Sequence, residues 1–173
     1  MLALHFVPIF KDTGLIQAAD EYREIWKQGG AAIVQAFEKV SGLSFTEERI
    51  GAVVYEGVSF SGRSPNDIMK LRASYPYNTK KATLVHELGH RLLFGIDGKD
   101  LNTDSHRMLF LILYDVWVEL YGKAFADEQV KVESSRKGLH NYEEAWRWVL
   151  SLTREKRLKM FRDISEIKEV SKK

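Results

Sequence analysis

The stretch TLVHELGHRLLFG, Thr83 to Gly95, holds two of the chain's five histidines, four residues apart, with a glutamate directly after the first. On a helix, His86, Glu87 and His90 fall at about 0°, 100° and 40° around the axis, within one arc. Leu84, Val85, Leu88 and Leu92 occupy the opposite side and can pack on a core. Two imidazoles one turn apart can reach a single metal ion. Glu87 is badly placed to be a ligand beside its neighbour but well placed to take a proton from a water in an open coordination position. Zinc lowers that water's pKa to about 7, which leaves the carboxylate to complete its activation. The rival reading is a buried helix carrying two hydrogen-bonded histidines and no metal.

A catalytic zinc site needs a third protein ligand. The chain has no cysteine, so disulfides, thiol catalysis and cysteine-based zinc clusters are excluded, and any ligand must be His, Asp or Glu. Three candidates follow: His106, Asp115 and Glu119. The first helix runs only a few residues past His90. If the next one returns antiparallel from about residue 103, positions near 105 to 111 come level with the two histidines, at about 1.5 Å of rise per residue. His106 fits. Asp115 and Glu119 lie roughly 13 to 20 Å further along by the same rise and serve only if the second helix starts differently or crosses steeply. Asp115 is the next choice as ligand, or a group that orients a liganding imidazole. Glu119 suits an ion pair or a solvent-facing position.

HELGH followed by SHRMLF resembles the compact zincin metallopeptidases of the SprT-like and YgjP-like type, in which a third histidine on the next helix is followed four positions later by an aromatic residue. Here these are His86, Glu87, His90, His106 and Phe110, within about 30 residues of chain. Arg107 stands where a small or polar residue is common, and the cysteine zinc ribbon of many SprT proteins is absent, so the likeness is to the zincin superfamily rather than to either subfamily. The resemblance implies a zinc-dependent peptidase acting on a peptide or protein. It also implies a small sheet before the metal-binding helix, whose edge strand takes an extended substrate. DIMKLRASY, Asp67 to Tyr75, is the natural candidate, since unpaired edge groups accept another strand. A donor for the developing oxyanion is also needed. Tyr75, Tyr77, Tyr114, Tyr121 and His140 are open candidates.

The positioning elements follow from pattern. MLALHFVPIF reads as a short strand or packed arm. Leu15 to Ser41 is helical at Ile16, Ala19, Tyr22, Ile25 and Trp26, with a break expected at Gly29-Gly30 and a stop at Gly42. RIGAVVYEGVSFSGR and DIMKLRASY carry strand formers, and Pro76 ends the second. The histidine helix is expected from about Thr79 to Phe94, capped by Asn78 or Thr79 and stopped by Gly95. A buried backing helix follows from about Asp104 to Leu120, with Thr103 as its cap. The remainder is helical. The expected fold is therefore α+β and zincin-like: one domain over residues 1–173, with a small mixed sheet, an active-site helix, a backing helix and a mostly helical C-terminal part.

Composition limits the alternatives. The 173 residues are 45% hydrophobic and 29% charged, enough for one domain with a real core. A net charge of +2 argues against a dedicated nucleic-acid or membrane-surface binder, and the C-terminal Arg154, Lys156, Arg157, Lys159 and Arg162 are interleaved with acids. The N-terminal apolar run lacks the features of a signal peptide, and no apolar run spans a bilayer without charges, which points to a soluble, cytoplasmic protein. A non-catalytic or regulatory module that keeps the zincin scaffold is the main rival to the peptidase. Glu87 argues against it, because a structural zinc site has no use for that carboxylate and usually fills all four positions with protein ligands.

Overall fold

The computed structural model describes residues 2–94, 96, 105–136 and 141–170. Among them are three strands and six helices, a mixed α+β content that is predominantly helical. They divide into two compact units, Met1–Gln35 with Ser44–Phe94, and Ala36–Leu43 with Gly95–Lys173.

The first unit holds β1 (Ala3–Pro8), most of α1 (Thr13–Ser41), β2 (Arg49–Tyr55), β3 (Met69–Arg72) and α2 (Tyr77–Leu92). The strands lie in the order β1-β2-β3, and both pairs are parallel. A mixed sheet was expected; the antiparallel component is one isolated bridge, Phe60 with Lys70. The reason is connectivity: α1 carries the chain back to the end where β1 began, so β2 must run the same way. β3 is shorter than the Asp67–Tyr75 stretch. Asp67 is turned back to accept the backbone N–H groups of Arg63 and Ser64, and the chain turns again at Ala73 and Ser74.

Alternation sorts the sheet into two faces. Phe6, Ala52 and Met69 form one row and Val54 pairs with Leu71 in the next; all five are at most 1% exposed. On the other face His5, Gly51 and Lys70 are exposed. The buried face receives α1, where the Tyr22 ring stacks on Phe6 at 6.0 Å and the Tyr22 hydroxyl donates to the Arg72 carbonyl. It also receives α2, which packs against β3. An ion pair from Lys80 to Glu21 joins the two helices.

Two helix expectations are corrected. α1 runs unbroken through Gly29-Gly30, because Gly30 makes room for the Trp26 indole; a Cβ there would lie 2.8 Å from the ring. α2 starts at Tyr77 with Pro76 as its N-cap and no side-chain cap, so Asn78 and Thr79 lie inside the first turn. Gly42, at φ 75°, ends α1 as the sequence implied. The expected stop at Gly95 and cap at Thr103 lie outside the described residues.

The second unit consists of the end of α1 and four helices: α3 (Ser105–Tyr121), α4 (Lys123–Ser134), α5 (Tyr142–Leu150) and α6 (Arg154–Val170). α3 is the centre of its own unit and packs against the other three. Met108 through Leu113, Val116 and Trp117 are all fully or nearly fully buried, as a helix apolar on most faces must be. Trp146 of α5 stacks on Phe110 at 3.9 Å and on Trp117 at 5.6 Å, and its indole N–H donates to the buried Glu133 carboxylate. Gly122, at φ 84°, separates α3 from α4. Among the described residues no helix is long and apolar enough to cross a membrane.

Candidate metal centre

α2 is buried along almost its whole length, its polar side included. His86 is 3% exposed, Glu87 7% and His90 8%. Polar groups withdrawn from water to that degree require partners. The imidazoles supply one contact themselves: their Nε2 atoms lie 3.2 Å apart, with ring centroids 5.0 Å apart and planes tilted by 54°. Helical spacing alone brings the rings near each other; here the same nitrogen of each is turned to one point.

The next residue, Arg91, anchors the loop before β3. It is buried, and its guanidinium forms a forked pair with the Glu47 carboxylate. It also donates to the carbonyls of Ser61, Ser64, Pro65 and Asp67. The Arg63 backbone N–H, followed by the Ser64 hydroxyl and N–H, holds the Asp67 carboxyl below the usual carboxylate range. The turn that carries the second histidine therefore also fixes residues 61–67.

In the second unit His106 occupies the first turn of α3 and is 8% exposed. Tyr142, the first residue of α5, places its hydroxyl 3.1 Å from His106 Nε2 and its ring 4.8 Å from the imidazole. Phe110 meets His106 edge-on at 5.8 Å and stacks on Tyr142 at 5.9 Å. α5 is itself fixed, since the Asn141 side chain caps it by accepting from the Glu144 N–H.

His86 and His90 form a buried pair in the first unit that can contribute two ligands to a metal ion, and His106, the third expected ligand, lies in the second. The other two candidate ligands are engaged elsewhere. Asp115 accepts from the Arg157 guanidinium through both oxygens at 2.9 Å, with Arg154 at 3.5 Å. Glu119 pairs with Lys39 at 2.7 Å in a largely exposed contact.

The expected oxyanion donors are dispersed. The Tyr114 hydroxyl donates to Asp127 at 2.8 Å; burial, and then Asp127, raise its pKa. Tyr77 is 40% exposed beneath Lys81, Tyr75 lies under the Arg72 guanidinium, and the Tyr121 ring packs on Phe125. His140 lies outside the described residues. Tyr142, which was not among the expected donors and stands in a helical apolar row with Ala145, Trp146 and Val149, is the tyrosine held against a candidate ligand. Only the Asn-Tyr-Glu-Glu start of its helix hinted that it sits at a fixed end.

The outer edge of β3 is not bare, contrary to the expected substrate-docking strand. Phe60 bonds both the N–H and the carbonyl of Lys70. The Ser59 hydroxyl accepts from the Arg72 N–H, and Tyr22 donates to the Arg72 carbonyl. An incoming strand would first have to displace residues 59 and 60. No protein-family model matches this chain, and no curated protein or solved structure matches it significantly.

Proposed function

We propose that this protein is a zinc-dependent metallopeptidase in which His86, His90 and His106 hold the metal and Glu87 is the general base. The observation that carries the reading is the 3.2 Å separation of the His86 and His90 Nε2 atoms beside a buried glutamate. Two nitrogens bonded to one tetrahedral zinc at about 2.0–2.1 Å stand about 3.3–3.4 Å apart, so the pair already has nearly the required spacing. Three neutral nitrogen donors suit zinc, and three rather than four protein ligands leave a position for substrate or water. His106 is the better third ligand than Asp115, whose charge is matched by two arginines.

Zinc bound there supplies a Lewis acid that polarises the scissile carbonyl and acidifies water. The chain's own contribution is proton traffic. The Glu87 carboxylate removes a proton from the attacking water as its oxygen bonds to the carbonyl carbon. The C–N bond then breaks, and the same proton passes from Glu87 to the leaving amine. Water is consumed, and one carboxylic acid and one amine are produced, which at neutral pH become a carboxylate and an ammonium group. Burial of Glu87 keeps bulk water from competing for that proton. The zincin resemblance adds an analogy of fold and role to this reading.

Purified protein is expected to carry about one zinc per chain. Glu87→Gln should keep the zinc and lose hydrolysis of unfolded casein by a hundredfold or more. His86→Ala with His90→Ala should lose both. A zinc-free wild type, or a Glu87→Gln variant as active as wild type, would overturn the assignment.

A further inference from the structure

We infer that Tyr142 is a catalytic residue of this site: its hydroxyl donates the hydrogen bond that stabilises the carbonyl oxygen as that oxygen gains negative charge. The inference rests on the zinc-peptidase reading and adds to it the one function that His86, His90, His106 and Glu87 leave unfilled.

The argument begins at one nitrogen. Tyr142 Oη lies 3.1 Å from Nε2 of His106. An sp² imidazole nitrogen has a single lone pair, which either accepts from the hydroxyl or ligates a cation. His86 and His90 direct Nε2, the outer nitrogen of the ring, to a common point. If His106 does the same, its lone pair goes to the metal and the Tyr142 O–H is released within about 5 Å of the ion, the sum of a 2.0–2.1 Å bond and the observed separation. That is the zone where a substrate oxygen on the open position would develop charge, and a hydroxyl is the donor it needs.

The side chain is also held in place. Tyr142 is the first residue of a capped helix, its ring is packed on His106 and Phe110, and the helix is anchored through Trp146 stacked on Phe110 at 3.9 Å. It is only half-buried, so a ligand can reach it. A donor whose orientation is fixed before reaction avoids a reorganisation cost at the moment of reaction. The competing role is support: His106 would ligate through Nδ1 and donate its Nε2–H to the Tyr142 oxygen, fixing the ring.

Tyr142→Phe separates the two roles because it deletes only the oxygen. If Tyr142 is the donor, turnover of saturating casein falls about 10²- to 10³-fold. Zinc affinity, measured by competition with a chromophoric chelator, stays the same or rises. Binding of acetohydroxamate to the Co²⁺-substituted protein, followed in the visible spectrum, weakens at least tenfold, since a bond to a charged oxygen has been lost. If Tyr142 only supports His106, zinc affinity falls 10- to 100-fold and excess zinc restores turnover; that result overturns the inference, as does a variant within twofold of wild type in turnover and hydroxamate affinity. Either leaves the peptidase reading standing. A wild type that binds no zinc removes both.

Discussion

Arg91 offers a test of how the turn that carries His90 is supported. Arg91→Met keeps the length and volume of the side chain but removes every donor. The guanidinium is 1% exposed and the Glu47 carboxylate 10%, so the pair is buried, and the variant leaves that carboxylate without its cation. Breaking a buried pair by removing one partner costs about 3–5 kcal/mol. The carbonyls of Ser61, Ser64, Pro65 and Asp67 also lose a donor, but their loop can move out to water, so their loss adds little to the equilibrium value. For a chain of this size each kcal/mol lowers Tm by about 2–4 °C, which gives a fall of about 6–20 °C. Guanidinium titration of Arg91→Met, Glu47→Leu and the double variant measures it. The double variant should be less destabilised than the sum of the singles, because it buries no lone charge. Limited proteolysis should cut within residues 61–67 first. A loss below about 1 kcal/mol in Arg91→Met would refute the claim that this residue is the anchor.

Asp115→Asn should destabilise the protein by about 3–5 kcal/mol in chemical denaturation, since it leaves Arg157 buried without its counter-charge, yet zinc stoichiometry should not change; lost zinc would restore Asp115 as a ligand. The two adjacent glycines of α1 should respond in opposite directions. Gly29→Ala, with nothing closer than Ile33 Cδ1 at 4.0 Å, should gain about 0.5–1 kcal/mol, whereas Gly30→Ala drives a methyl into the Trp26 ring and should lose about 1–3 kcal/mol, both read from denaturation midpoints. The Asp67 carboxyl has a depressed pKa, so its contribution to loop order is full above the unfolded value near 3.9 and is lost as pH falls through the folded value. Exchange of the Arg63 and Ser64 amide hydrogens should accelerate in acid below about pH 4, after correction for intrinsic rates, and Asp67→Asn should show the faster exchange at neutral pH as well.

The parts of the fold written in short-range chemistry were legible. Apolar positions three and four apart located α1, α2 and α3, and Gly42 located a helix end because only a residue tolerant of positive φ fits there. His86, Glu87 and His90 share an arc for the same local reason. Strand direction is not local. Arg49–Tyr55 and Met69–Arg72 look alike whether paired parallel or antiparallel, and the direction was fixed by how 29 residues of helix return the chain. The break expected at Gly29-Gly30 failed because Trp26, one turn earlier, fills the missing side-chain volume; a glycine pair signals flexibility only when nothing packs on it.

The same distinction explains why the pairing of His86 with His90 was readable and the residue beside His106 was not. His86 and His90 are neighbours by helical geometry, so their types and spacing are sufficient. Tyr142 lies 36 positions from His106 and arrives by the packing of α5 on α3, through Phe110 and Trp146. Its sequence context, an apolar-looking Tyr in a row with Ala145, Trp146 and Val149, describes the face that packs and does not say which group its hydroxyl meets there. The β3 edge repeats the lesson in reverse: alternation made Met69–Arg72 a strand, but only the return of Ser59 and Phe60 settles whether its outer N–H and C=O groups are available. A donor near a metal and an open strand edge both depend on which distant segment arrives first. Chemistry of that kind can be proposed from a sequence only where one helix or one turn contains all of it.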